Sequence, residues 1–303
     1  MSKKWDLKTL WGIRIYRKGI INQLSTVIDT NNIDLNSIMR MDDVSIYKKL
    51  HDLYVLSNTA ENLIKAKSDD NKKLAQSKFE FIRDNIPVPD DARILDIGTM
   101  DCGFIANLNT LGQAQGINIE SFDQYNYHTD TSCVKIYDGI NVPYDDNTFD
   151  LVTVLMVLHH VPKDSIDTLL KSIYDVLKPG GLLLIRDHDV TKRIERQYIG
   201  WIHFFYELIC EQESNWEFYD TYVANFMSKE ELGGMLEELG FVNMDSVFTG
   251  SVRKRYIEPS FISRNYYTLF RKGDEMSGSG VKSEGYYDMY VTNKRDYLRL
   301  MNV

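Results

Sequence analysis

Ala92-Arg93-Ile94-Leu95-Asp96-Ile97-Gly98 is a short apolar run that closes on an acid and a glycine, and Thr99-Met100-Asp101-Cys102-Gly103 follows it. The run reads as a strand covered on both faces. A glycine at its end lets the backbone take positive φ and pass close to a ligand. The same texture recurs downstream. Ala114–Ile119, Val134–Tyr137, Phe149–Leu155 and Leu182–Arg186 are further apolar runs. Between the last two, Ser165–Leu177 carries Ile166, Leu169, Leu170, Ile173 and Val176 at helical spacing, and Lys178-Pro179-Gly180-Gly181 forms a turn. Ser228 and Glu231 make a capping box for a helix with Leu232, Met235, Leu236 and Leu239 on its apolar face, ended by Gly240. Two more strands, about Met244–Thr249 and Asn265–Arg271, bring the count to seven. Strand and helix in alternation predict a doubly wound α/β fold around a mostly parallel seven-stranded sheet.

Outward from this core the chain changes character. Residues 1–74 read as a helical N-terminal extension, with Leu7, Leu10, Trp11, Ile21, Leu24 and Ile28 at helical spacing and breaks near Asp29–Asp34 and Ser68–Asn71. The last helix before the sheet runs from about Asn71 to Asn85 and stops at Pro87 and Pro89. Residues 75–273 form the α/β domain. Within it, 192–226 is an aromatic insertion holding Tyr198, Trp201, Phe204, Phe205, Tyr206, Trp216, Phe218, Tyr219 and Tyr222. These aromatics suit either a lid over a ligand or a core against the N-terminal helices. Residues 274–303 form a tail.

Composition narrows the function classes. The chain has 303 residues, 43% hydrophobic and 26% charged, as expected of a globular protein. No apolar run approaches the ~20 residues that span a bilayer, so no membrane partner is expected. The start of the chain has no secretory signal core, and a cytoplasmic location is expected. Net charge is −9, with a basic first twenty residues and an acidic body, which argues against broad nucleic-acid binding. The three cysteines (Cys102, Cys133 and Cys210) are widely spaced and odd in number, and suggest neither a disulfide framework nor a zinc knuckle. Cys102 reads as packing or backbone lining.

In an open α/β sheet, ligands bind beyond the carboxyl ends of the strands. The glycine turn after Asp96 alone could serve NAD, FAD, a nucleotide or nothing. The ordered series is more specific: Ile94–Gly103, Gly116-Ile117-Asn118-Ile119-Glu120, Tyr137-Asp138-Gly139, Val142-Pro143-Tyr144 through Val152, Val157-Leu158-His159-His160-Val161, and Leu177-Lys178-Pro179-Gly180-Gly181. It resembles the class I S-adenosylmethionine methyltransferases of the LHH/LKPGG type, over about residues 75–273. The resemblance implies a Rossmann-like domain that binds S-adenosyl-L-methionine. It implies that Asp96, Gly98 and Gly103 form the turn near the methionine moiety, although only one glycine directly follows the acid's strand here. It places Asn118, with Glu120 as a competitor, at the ribose hydroxyls, Asp138 at the adenine amino group with Gly139 beside the ring, and Leu155 to His159 over the sulfonium end.

Methyl transfer from a sulfonium is an in-line displacement, so the protein mainly aligns the acceptor. A base is needed only when the acceptor must lose a proton. His159, favoured over His160 for the pocket, and Asp187-His188-Asp189 are the candidates, with His159, His188 and Asp187 as catalytic residues. Strand alternation puts Asp187 and Asp189 on one face and His188 on the other. No metal site is expected, since no helical His pair or nearby cysteine accompanies these groups. The expected activity is methyl transfer to an O or N acceptor, a small molecule in preference to RNA. An RNA (cap or tRNA) methyltransferase, anchored by the basic start and Arg253-Lys254-Arg255, and a non-catalytic scaffold on the same fold are the alternatives. The oligomeric state is not legible. A dehydrogenase is disfavoured, because the turn lacks G-x-G-x-x-G.

Overall fold

Seven strands assemble into one sheet: β1 (Ala92–Ile97), β2 (Gly112–Ile119), β3 (Val134–Tyr137), β4 (Phe149–Leu155), β5 (Leu177–Asp189), β6 (Phe241–Asn243) and β7 (Arg264–Lys272). Their order is β3-β2-β1-β4-β5-β7-β6. β1 to β5 pair in parallel, and β7 runs antiparallel to both β5 and β6. This computed structural model describes residues 7–57, 60–99, 102–119, 130, 132–205, 209, 224–248 and 264–273. The strand order reverses between β1 and β4, so their carboxyl ends flank the switch point where such sheets bind ligands.

The described helices are α1 (Leu7–Gly12), α2 (Arg14–Ser25), α3 (Leu35–Ile38), α4 (Asp43–Ser57), α5 (Ala60–Asn85), α6 (Cys102–Leu108), α7 (Ile166–Val176), α8 (Arg193–Phe204) and α9 (Lys229–Glu238). Side chains alternate across the sheet. Leu95, Ile97, Val152, Val154, Leu183 and Ile185 pack with α7 and α9 on one face. Ile94, Leu151, Leu155 and Leu184 pack with α5 and α6 on the other. Two buried faces explain why these strands read as nearly unbroken apolar runs. A third cluster joins Leu7, Leu10, Ile20, Leu24, Tyr47 and Leu50 of the N-terminal helices to Tyr198 and Trp201 of α8 and to Phe205 and Ile209. Tyr198, Trp201 and Phe205 are thus core residues. The side chain of Phe204, and Tyr206, Trp216, Phe218, Tyr219 and Tyr222, lie outside the described residues.

Several expectations are corrected. The polar run Ser68–Asn71 does not break the helix; α5 continues from Ala60 to Asn85. Lys, Asp and Asn are tolerable in a helix interior when no Pro or Gly stops it. The sixth strand is Phe241–Asn243, not Met244–Thr249. Gly240, at φ 98°, ends α9 so sharply that pairing starts on the next residue. Asp245–Val247 then forms a 3-10 turn. The Lys178–Gly181 turn lies within β5 as an irregularity, where Leu177 opposes Phe149 and Leu182 opposes Leu151. Finally, Cys102 and Cys133 form a disulfide with Cα atoms 5.7 Å apart. Parallel pairing of β3 with β2 brings Cys133 to the first residue of α6, a proximity that a sequence separation of 31 concealed.

Candidate active site

The turn after β1 is built around a buried acid. Asp96 is 2% exposed, and its carboxylate accepts hydrogen bonds from the hydroxyls of Thr99 and Thr153. Burial pushes its carboxyl above the usual range, and the two threonine hydroxyls pull it back. Asp96 therefore fixes the turn from within. Gly98 follows at φ 77°, and its N–H donates to Ile117 O at 2.8 Å. Gly116 on β2 lets the strand pass close: a Cβ there would come within 2.9 Å of Thr99 Oγ1 and Ile105 Cδ1. Gly103 is the second residue of α6 and is exposed.

The neighbouring strand ends carry the remaining polar groups. Asn118 is buried near the end of β2, in register with Ile136 of β3. Glu120 lies outside the described residues. Asp138 follows β3 directly and stays exposed. It accepts from the N–H groups of Ile140 and Asn141 and from Asn141 Nδ2, and these donors hold its carboxyl below the usual range. Gly139 has φ 81°. Carboxylate, amide and open turn thus stand on adjacent strand ends. That set matches a ligand offering an amine, a hydroxyl pair and a chain, so the residues present fit the S-adenosylmethionine expected from sequence. Leu155 departs from its expected role in one respect. Its side chain packs in the core beneath α5, so only its backbone faces the strand ends.

At the ends of β4 and β5 the structure assembles a cluster that the sequence showed only in pieces. Met156 takes φ 70°, rare for a residue with a side chain, and its N–H donates to Arg186 O at 2.7 Å. The chain then turns into a 3-10 segment, Leu158–His160. His159 is 2% exposed, and its Nδ1 lies 2.7 Å from Asp187 Oδ1. Asp187 also accepts the backbone N–H groups of His188 at 2.7 Å and His159 at 3.3 Å. The expectation that His188 faces away is corrected: its ring centroid lies 5.1 Å from that of His159. Asp187 bonds His159 of the 3-10 segment while His188 packs against the same ring, so two successive residues of β5 meet that segment. α8 adds His203, whose Nδ1 lies 2.9 Å from Ile199 O and whose Nε2 lies 3.2 Å from His159 Nε2. The His160 ring lies tilted beside that of His159, with centroids 4.1 Å apart. Burial holds His159, His160 and His188 well below the usual imidazole range and His203 below it, with neighbouring histidines reinforcing the shift for the first three. Burial pushes Asp187 up, against its N–H donors.

Sequence reasoning had no signal for His203 as a partner, because α8 brings it from 44 positions away. It likewise missed Met156, Thr99 and Thr153. Arg253-Lys254-Arg255 lies outside the described residues. Among the described residues no helix is long and apolar enough to cross a membrane.

A family model described as a methyltransferase domain matches residues 68–246. A demethylmenaquinone methyltransferase of Staphylococcus aureus (strain JH9) is 32% identical over 127 residues, which is 40% of this chain and 52% of the relative. The chain therefore spans about half the length of the curated relatives it matches. Among solved structures, geranyl diphosphate C-methyltransferase from Streptomyces coelicolor is 11% identical, with a TM-score of 0.44, covering 69% of this chain and 84% of that one. An S-adenosylmethionine-dependent methyltransferase from Mesorhizobium loti is 13% identical, with a TM-score of 0.40 and coverages of 63% and 95%. Since the family match takes in more than half of the sequence, the chain belongs to the methyltransferase-domain family.

Proposed function

We propose that this chain is an S-adenosyl-L-methionine-dependent methyltransferase acting at an O or N atom of a small molecule. The observation that carries the reading is the alignment of Asp138, Asn118 and the Gly98 turn on the ends of β3, β2 and β1, with the histidine cluster beside them at β4 and β5. The cofactor would supply a methyl carbon already activated on a sulfonium. Asp138 and Gly139 would hold the adenine, Asn118 and Glu120 the ribose, and the turn from Asp96 through Gly103 the methionine end, with the Leu155 backbone closing over it. Asp187, His159 and His188 form the polar wall at the acceptor end. Asp187 orients the His159 ring through Nδ1 and thereby sets which nitrogen faces inward. The acidic balance of the chain, −9 overall, favours a small acceptor over RNA. The S. aureus relative is likewise named for a small-molecule acceptor.

Calorimetry with S-adenosylmethionine and its demethylated product tests the cofactor. Binding should be clear in the full chain and fall at least about tenfold in Asp138→Ala, the loss of one charge-assisted hydrogen bond. Absence of heat with a folded protein would defeat the reading. Labelled-methyl transfer into separated metabolite, RNA and protein pools then identifies the acceptor class. Incorporation into RNA, with affinity falling steeply in salt, would select the RNA alternative.

A further inference from the structure

We infer that His159, His160 and His203 form a binding site for a divalent transition-metal ion of the zinc type. One ligand nitrogen from each lies within 4.8 Å of the other two. The hydrogen bonds fix which nitrogens face inward. Ile199 O can only accept, so His203 carries its proton on Nδ1. Asp187 already receives two backbone N–H groups and sits 2.7 Å from His159 Nδ1, so His159 likewise donates from Nδ1. In the neutral rings both Nε2 atoms then carry lone pairs, and these atoms face each other at 3.2 Å. Two lone pairs at that separation repel unless a positive charge lies between or beside them. Two imidazole nitrogens on a tetrahedral zinc ion, at ~2.05 Å each, stand about 3.3 Å apart.

The surroundings fit the same ion. Metal-bound histidines almost always pass their second N–H to a carboxylate or a backbone carbonyl, and here one ring has each kind of partner. His188 packs beside both rings, at 5.1 Å from His159 and 5.4 Å from His203. It is 8% exposed, and among the described residues neither of its ring nitrogens has a hydrogen-bond partner. Nitrogen ligands without acidic oxygens at the centre select zinc, cobalt or nickel over magnesium or calcium. Only the ion's place at the acceptor end rests on the methyltransferase reading; the site itself does not.

The test uses the full chain, stripped of metal with a chelator and titrated with Co2+ alone. Visible d–d bands should appear, saturate at one equivalent and vanish when Zn2+ is added. His160→Ala/His203→Ala should abolish them, and Asp187→Asn, which removes no ligand but changes the partner of His159 Nδ1, should weaken Co2+ about 10–100-fold. If the double variant does not fold, His203→Gln replaces it and should weaken Co2+ at least about tenfold by loss of one ligand. A folded wild-type chain without bands overturns the inference, and so does a folded double variant, or His203→Gln, with unchanged affinity. In the first case a shared proton is what joins the two Nε2 atoms. S-adenosylmethionine binding, measured by calorimetry on the same samples, separates the outcomes. A wild-type chain that binds S-adenosylmethionine but not Co2+ defeats the metal site alone, and one that binds Co2+ but not S-adenosylmethionine defeats the methyltransferase alone.

Discussion

A methyl group at Gly98 would need space that Val157 already fills: an added Cβ would sit 2.1 Å from Val157 Cγ2. The backbone there is also left-handed, at φ 77°, which costs a residue with a side chain about 1–2 kcal/mol. Both penalties fall on the turn that is proposed to receive the methionine end. Gly98→Ala should lower thermal stability by about 1–3 kcal/mol and weaken S-adenosylmethionine binding more than the stability loss explains. Calorimetry beside thermal unfolding checks this, and unchanged affinity would separate the turn from the cofactor. Single residues were legible in the sequence where a strand end fixed their place, as with Asp96, Asn118 and Asp138. Their partners were not. Thr153 reaches Asp96 only because β4 pairs with β1 in that register. Cys102 meets Cys133 only because β3 joins β2. Such meetings are properties of strand pairing, which leaves no local mark on the chain.

Between elements, one ion pair does most to lock α9 against the antiparallel edge. Lys229, the first residue of α9, is 4% exposed and lies 2.6 Å from Asp245 Oδ2. Asp245 also accepts from Thr268 Oγ1 and from the Leu269 N–H, both at 2.9 Å, so one carboxylate ties the 3-10 turn, α9 and β7 together. Removing it leaves a buried ammonium and two donors without their acceptor. Asp245→Ala should cost about 3–5 kcal/mol, read as a lower urea midpoint at unchanged m-value. A change below about 1 kcal/mol would show that water replaces the pair. Elements were read well from the sequence where periodicity was strong, as in β1, β4 and α7. They were misread where polar residues mimic a break, at Ser68–Asn71 inside α5, and where a glycine starts a strand early, at Gly240. β7 pairs antiparallel with both β5 and β6, so the βαβ rhythm that located the first five strands does not reach these two.

Across the whole molecule, α1, α2 and α4 pack against α8 and the residues that follow it. Their buried cluster contains Tyr198, Trp201, Phe205 and Ile209 and no strand residue. One face of α8 thus completes the helical core, and the same helix carries His203 to His159. Stability of the N-terminal layer and geometry of the histidine cluster are therefore linked by a single rigid element. Trp201 is fully buried at this junction, and its indole N–H has no partner among the described residues. Trp201→Ala should cost about 3–5 kcal/mol from the cavity it leaves, and Trp201→Phe clearly less, since it keeps most of the apolar volume and removes an unsatisfied donor. If the helices and the sheet fold as one unit, far-UV circular dichroism and the fluorescence of a chain whose tryptophans other than Trp11 are replaced by Phe should report one coincident transition. In Trp201→Ala both should shift together, and Co2+ affinity should fall although no proposed ligand has changed. A fluorescence transition that separates from the circular dichroism would make residues 1–74 an independent module, and intact Co2+ affinity in that variant would show that the cluster does not depend on the helical layer.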